Sequence, residues 1–404
     1  MSTSLLYHGF GIHDHTYKRT EFAGGAVTFH IVPKPRAIRC PICRTKKVTC
    51  RGVVHRFFRT IPIGAKPVWL RVPIQRVWCP KCRVVRQTTT SFAEPKKRYT
   101  KHFKRYVLEL SRWMTIQAVA NHVGVSWDVV KDIQKQRLWR LYRKPRLKGL
   151  KEIAIDEISI GKGHKYLTLV LDLRTGRVVF VGDGKGAEAL QPFWTRLKKS
   201  RARIQAVAID MSNAYIQAVT ENIPEAKIVF DRFHIVKMFN DKITEYRRQL
   251  FNRLKDPTER KLLKGTRWLL LKNPENLNPE KDERERLDQA LEVNKPLATI
   301  YYMNDDLRQY WNQANRASAA AFLQDWIQRA KASGIKVLEK FADTLIAHRD
   351  GILAYYDYPI TTAPLEGTNN KIKTMKRQAY GFRDKEFFKL KIMGIHETKY
   401  ALVG

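Results

Sequence analysis

Apolar positions recur in three different registers along the chain. Between residues 36 and 95 they alternate singly, as in Val68-Trp69-Leu70-Arg71-Val72, which is the period of a half-buried strand and predicts a β-hairpin. Between 96 and 145 they return at helical spacing. Phe103, Val107 and Leu110 mark one helix. Ile116, Val119, Ala120 and Val123 fall at i, i+3, i+4 and i+7 of a second, with Thr115 placed to cap it, and Trp127, Val130 and Ile133 mark an inward face on a third, with Ser126 as its cap. From 150 onward the apolar residues form short continuous runs at 153–155, 166–173, 178–181, 206–209 and 228–230. A helical stretch at 190–197 separates the third run from the fourth, and a further helix is expected between the fourth and fifth. Buried strands alternating with helices predict an α/β domain with a mixed sheet. Residues 241–345 are rich in Leu, Glu, Lys, Arg, Gln and Ala and predict an all-helical region. Helix resumes after a 359–364 turn that holds two prolines. Residues 1–35, with Gly11, Gly24, Gly25, Pro33, Pro35 and weak periodicity, predict an irregular arm or a small extra strand.

Six segments follow: an arm (1–35), a cysteine-bearing β region (36–95), a tri-helical region (96–145), a first α/β part (150–240), a helical insertion (241–345) and a closing part (346–404). A length of 404 residues accommodates this multidomain α/β plan.

Charge changes the picture. The chain carries 76 Lys and Arg against 38 Asp and Glu, a net +38. Residues 1–150 hold 32 of those cations and only 6 of the acids, so most of the excess sits in the first third. A polyanion is the expected partner of that end. No apolar run approaches the roughly 18 residues of a membrane span, residues 1–14 lack a signal-peptide layout, and no membrane partner is expected. Five cysteines are too few for a disulfide scaffold, so a reducing cytoplasm is expected.

Four of those cysteines form Cys40-Pro-Ile-Cys43 and Cys79-Pro-Lys-Cys82. Each pair turns two thiolates toward one point, and two such knuckles complete a closed tetrahedral site for structural Zn²⁺. The 35-residue insert between them is longer than usual and holds the predicted hairpin. Cys50 is left as a free thiol. Arg44, Arg56, Arg59 and Arg71 make this zinc ribbon basic and suit it to phosphate contact. In the tri-helical region Gly124 supplies the turn of a helix-turn-helix, and the third helix offers Lys131, Gln134, Lys135 and Arg137 to a DNA major groove.

Two apolar runs end in aspartate, Ile153-Ala154-Ile155-Asp156 and Val207-Ala208-Ile209-Asp210. Carboxylates closing neighbouring strands can share a divalent metal, which in-line substitution at phosphorus requires. A third carboxylate, Glu366, lies in Pro364-Leu365-Glu366-Gly367-Thr368-Asn369-Asn370-Lys371-Ile372-Lys373. Asn369, Asn370 and Lys373 share its helical face. Asp231-Arg232-Phe233-His234 follows the fifth strand and is placed either to brace the site or to cap a helix.

In this order the motifs resemble the bacterial insertion-sequence transposases of the ISL-three type, over roughly residues 36–400. The resemblance implies an RNase H-like core with a mixed five-stranded sheet, interrupted by the helical insertion. It implies a DDE triad of Asp156, Asp210 and Glu366 holding Mg²⁺ or Mn²⁺, with Asp231, His234 and Lys373 supporting. The implied activity is cleavage and strand transfer of double-stranded DNA, at transposon terminal inverted repeats and a target. A homo-oligomer assembled on DNA in the bacterial cytoplasm, associated with the nucleoid, is implied as well. In the insertion Trp268, Trp311 and Trp326 read as core residues rather than base-stacking ones. The competing readings are a catalytically silent, repressor-like DNA-binding protein and a structure-specific nuclease on the same core.

Overall fold

The computed structural model describes residues 3–161 and 163–396, in two compact units. One runs up to Lys144 and resumes at Thr374. The other is Pro145–Lys373. The outer ends of the predicted arm and closing part, residues 1–2 and 397–404, lie outside the described residues.

The first unit opens with more order than an irregular arm. Helix α1 (Thr3–Phe10) leads into a hairpin of β1 (His15–Ala23) and β2 (Ala26–Pro33). Gly24 and Gly25 both have positive φ, 55° and 73°, which a tight two-residue hairpin turn demands. Val27, Phe29 and Ile31 alternate inward from β2, so the strand signal was present but short. Next come β3 (Thr49–Ile63), β4 (Lys66–Cys79) and β5 (Val84–Gln87). β4 is the spine. It pairs antiparallel with β3 along one edge, and with parallel β2 and antiparallel β5 along the other. Val68, Leu70, Val72 and Ile74 of β4 are buried with Leu6, Phe10 and Phe29, so the arm and the ribbon share one core.

Three helices follow: α2 (Lys101–Leu110), α3 (Ile116–Val123) and α4 (Trp127–Tyr142). Thr115 caps α3 by accepting the Ala118 N–H at 3.0 Å, and Gly124 ends it in the left-handed region at φ 65°. Ser126 stands at the cap position of α4 but makes no side-chain cap bond there. Phe103, Val107, Ile116, Val119, Val123, Val130 and Ile133 form the core of this trio. Trp127, expected inward, is 43% exposed, because the first turn of α4 projects past that core.

The second unit is built on a five-stranded mixed sheet: β6 (Glu152–Gly161), β7 (Lys165–Asp172), β8 (Arg177–Asp183), β9 (Ala206–Ile209) and β10 (Lys227–Phe230). The order across the sheet is β10-β9-β6-β7-β8, with β6, β7 and β8 antiparallel and β9 and β10 parallel to β6. This is the mixed sheet expected of the core. Helices α5 (Ala187–Ser200) and α6 (Asn213–Asn222) make the crossovers. β9 is buried at every position, as a strand covered on both faces must be.

After β10 the chain is helical. α7 (Arg232–Arg253) is followed by α8 (Pro257–Leu263), α9 (Glu283–Glu292), α10 (Lys295–Arg308), α11 (Arg316–Ala332), α12 (Lys336–Ala347) and the short α13 (Arg349–Leu353). Phe239 stacks on Phe341 at 4.4 Å and meets Trp326 edge-on, which anchors α7, α11 and α12 together. Trp326 and Trp311 are buried as expected. Trp268 is not: it is 64% exposed, on the turn after α8 where no helix covers it. The chain closes with α14 (Ala363–Gln378) and α15 (Lys385–Met393), the latter packed on α4 within the first unit. Among the described residues no helix is long and apolar enough to cross a membrane.

Candidate functional site

Cys40, Cys43, Cys79 and Cys82 converge, with ligand atoms all within 4.8 Å of one another. The Cys43–Cys79 and Cys40–Cys82 sulfurs are 3.5 and 3.9 Å apart. Sulfurs of a tetrahedral site with a Zn–S bond of about 2.3 Å stand about 3.8 Å from each other, so the donor set and its spacing fit zinc. The backbone N–H groups of Cys43 and Ile42 pull the Cys40 thiol down to about 7, toward the thiolate a metal needs. Cys50 is exposed and stands apart from the cluster. Of the basic ribbon residues, Arg59 does not face solvent. It is 4% exposed and donates to the carbonyls of Val68 and Val123, because it lies over Trp69 and Phe103 and ties β3 to the helices.

The α4 candidates divide. Arg137 is exposed. Gln134 is 7% exposed and faces inward, since α15 packs on α4 and inserts Phe387 into the tri-helical core. Lys135 reaches Asp384 at 3.0 Å and Glu386 at 2.7 Å, and Lys131 reaches Asp384 at 3.6 Å. The lysines offered to a groove are thus held by acids some 250 residues away in sequence.

The carboxylates gather around the second unit's sheet. Asp156 does not close its strand as the sequence suggested. β6 continues to Gly161, because Ile158 keeps the inward alternation and β7 pairs alongside. The partner that ends is β9. Its register runs Ile153 to Val207 and Ala154 to Ala208, and two steps further it puts Asp156 beside Asp210, just past the last β9 residue. Asp210 accepts the Ser212 N–H at 3.0 Å, which fixes it at the mouth of α6. Burial, then the charges of Asp210 and Glu157, push Asp156 up to about 6, against the pull of the Glu157 N–H and His234. Glu157 itself is engaged, accepting the Tyr215 hydroxyl at 2.6 Å.

Glu366 stands in the first turn of α14. Its ligand atoms fall within 4.8 Å of those of Asp231 and His234, so the structure groups these three directly. Asp156 joins through two links, and Asp210 through its charge beside Asp156. Asn369, one turn beyond Glu366, donates to Asp156 at 2.9 Å, and His234 lies close enough to influence both Asp156 and Glu366. Burial and the Asp231 charge raise Glu366, while His234, Lys237 and Lys373 lower it. Lys237 was missed in the sequence. It sits one turn after His234 on α7, and that spacing was the available signal.

Asp231 is a brace in this arrangement. It is 3% exposed, caps α7 through the Phe233 N–H, and accepts both the N–H and the hydroxyl of Thr362 at the entry to α14. Thr362, buried and also missed, thereby fixes where Glu366 begins its helix. Thr362→Val should cost about 2–3 kcal/mol in chemical unfolding, since it strips a donor from a buried charge. Any activity that depends on Glu366 should fall with it.

Among the described residues, two buried polar atoms in the group lack a partner: Nε2 of His234 and Oδ1 of Asn369. Orphaned donors and acceptors beside three carboxylates mark a place for an ion, water or substrate oxygen. The oxygen-rich set of Asp156, Asp210 and Glu366 fits a hard cation such as Mg²⁺ or Mn²⁺.

Comparison with known proteins shows the family of the chain. A family model described as a transposase matches residues 153–392, and one described as the helix-turn-helix domain of transposase family ISL3 matches residues 88–138. The chain belongs to the ISL3 family of transposases. It is 34% identical over 375 residues to the transposase for insertion sequence element IS1001 of Bordetella parapertussis, covering 92% of each chain. It is 28% identical over 391 residues to the transposase for insertion sequence element IS1557 of Mycobacterium tuberculosis, covering 89% of this chain and 86% of that one. The Drosophila P element transposase strand transfer complex aligns with 62% of this chain and 78% of that one, at 10% identity and a TM-score of 0.33, too slight a likeness to carry weight.

Proposed function

We propose that the protein cuts DNA at the ends of its own mobile element and joins them to a target, using Asp156, Asp210 and Glu366 as a DDE triad. The observation that carries this reading is the β6–β9 register, which continued two steps sets Asp156 level with Asp210, with the Glu366 helix tied to the same Asp156 by Asn369. Of two divalent cations held by these carboxylates, one would activate the attacking oxygen and the other would steady the leaving one. The chain's own residues do the positioning. Asn369 orients Asp156, Asp231 and Thr362 set the start of α14, and His234, Lys237 and Lys373 bring positive charge and donors toward a phosphate.

A second ligand set, Asp231 with His234 and Glu366, is suggested by their mutual proximity. It suits the cation less well. Asp231 already accepts from Phe233 and Thr362 on both oxygens, and an imidazole is a poor ligand for so hard an ion. Asp231 and His234 therefore support the triad.

Zinc held by the four cysteines would fix the ribbon, which with α4 would grip the terminal inverted repeats. Because two ends must react, a homo-oligomer assembled on double-stranded DNA follows. The test is incubation of the purified protein with a labelled duplex of the element's end and a plasmid target, with Mg²⁺, Mn²⁺ or EDTA, beside Asp210→Asn. Metal-dependent nicking and joining, lost in the variant, supports the triad. Nicking without joining favours the nuclease reading, and binding without cutting favours the silent DNA-binding one.

The acids facing α4 make a further prediction. Asp384→Asn keeps the cap bond to the Phe387 N–H but removes the charge that holds Lys131 and one of the two that hold Lys135, Glu386 being the other. DNA affinity at low salt should tighten about three- to tenfold. Glu109→Gln, an equal charge change on exposed α2 surface, should leave it nearly unchanged in the same anisotropy titration.

A further inference from the structure

A cleft of about 950 Å³ lies wholly within the first unit. It runs between the first cysteine knuckle, β3 and the extended segment that links β5 to α2. We infer that this cleft holds the sugar-phosphate backbone of one DNA strand. The inference rests on the DNA-binding reading above and places part of that contact.

The lining carries the argument. Arg36, Arg39 and Arg44 project from the knuckle side, Arg56 from β3, and Lys96 and Lys97 from the facing segment. Against them stand two acids, Asp14 and Glu94, and Glu94 is already taken by Lys104 at 2.9 Å. Like charges arranged around one cleft with so little compensation repel one another until an anion enters. Thr88, Thr89, Thr90 and Ser91 follow in unbroken succession along the same wall, a strip of hydroxyl-bearing residues. Such a strip suits a row of phosphate oxygens better than a single compact anion. Little aromatic surface lines the cleft, so stacked bases are not what it is shaped for.

Arg44 and Lys96 stand on the rim at turn positions, with φ of 62° and 64°. On the floor His15 is 3% exposed with an unpartnered Nδ1, and burial draws its ring down to about 4, so it remains a neutral hydrogen-bonding group.

The test compares the full-length protein with the triple variant Arg36→Gln, Arg44→Gln, Lys96→Gln, all at exposed positions. Zinc content and thermal transition check that the variant is folded. Binding is measured by anisotropy with two labelled duplexes, one carrying the element's terminal sequence and one of scrambled sequence, across a salt series. The expected result is a tenfold or greater loss of affinity for both duplexes. The slope of log affinity against log salt should shrink by about 0.9 for each phosphate contact removed, or about 2.7 in all. A control triple, Lys198→Gln, Lys199→Gln, Arg201→Gln on and after α5, changes net charge equally and should alter the slope little. If the control weakens binding as much as the cleft triple, net charge alone is at work and the cleft is not the site. If the cleft triple binds as wild type does, the inference fails while the DNA-binding reading stands. Should wild type bind neither duplex, both fall together.

Discussion

Asp156→Asn should abolish metal-dependent nicking while making the metal-free protein more stable at neutral pH. The two effects have one origin. Asp156 is partly buried beside Asp210 and Glu157, and these surroundings push its carboxyl up to about 6 from an ordinary 3.8. A raised carboxylate pKa means that the folded state prefers the proton. Below about pH 4 the group is neutral folded or unfolded, and its stabilising contribution is fully present. As pH rises through 6 the folded protein must ionise a carboxyl it would rather keep neutral, and that contribution is lost. The shift of about two units corresponds to about 3 kcal/mol at most. Asparagine removes the charge and can still accept from Asn369, so the transition of the second unit should rise by a few degrees at pH 7.5 and by about half as much at pH 5. Added Mg²⁺ or Mn²⁺ should stabilise wild type at pH 7.5, lose that effect as pH falls below 6, and do nothing for the variant. Activity should fall at least a thousandfold, since a carboxylate of the proposed cation site is gone. Thermal scans at the two pH values with and without metal check the first half, and nicking of a supercoiled plasmid checks the second. A variant less stable than wild type at pH 7.5 without metal would show that Asp156 is an ordinary structural carboxylate.

What the sequence disclosed follows the range of the forces involved. Short buried runs such as residues 206–209 and the Thr115 cap depend on neighbours a few residues away, and both appear where periodicity placed them. The paired cysteines were legible because Cys-x2-Cys is itself a local geometry. Features set by distant partners were not. Gln134 looks outward on a helical wheel of α4 alone, and only the docking of α15 turns its side inward. Asp156 seemed to end a strand because β9, the strand that ends beside it, is some fifty residues away. Thr362 and Lys237 carry no motif. Their roles come from Asp231 reaching across to α14 and from the pitch of α7. The carboxylates themselves could be nominated from strand-end logic, whereas their grouping, with Glu366 nearest Asp231 and His234, required the packed sheet and helices.

Replacing Cys79 with serine, or stripping the metal with a strong chelator, should melt the two knuckles and β5 without unfolding α2 to α4. Wild type should carry one zinc per chain, and the variant none. Besides the sulfurs, the end of the β4 ladder with β3 and β5 and a few turn bonds hold this region. Ile42 between the first pair is 60% exposed, and the knuckles are closed mainly by the Arg44 N–H on the Cys40 carbonyl and the Arg83 N–H on the Cys79 carbonyl. Both arginines sit at positive φ, 62° and 52°, at about 1 kcal/mol each, and the sheet's apolar core lies elsewhere, around Leu6, Phe29, Val68 and Leu70. Structural zinc contributes about 10–16 kcal/mol to small folds that depend on it, more than these local contacts can replace. Hydrogen exchange should therefore lose protection over residues 36–50 and 76–87 and keep it over 101–142, where the tri-helical core is independent of the metal. DNA affinity should drop at least tenfold, because Arg36, Arg39 and Arg44 lose the frame that faces them into the cleft. Retained protection across both knuckles in the zinc-free variant would mean that the sheet alone positions them, and the four thiolates would then need another explanation than a structural metal.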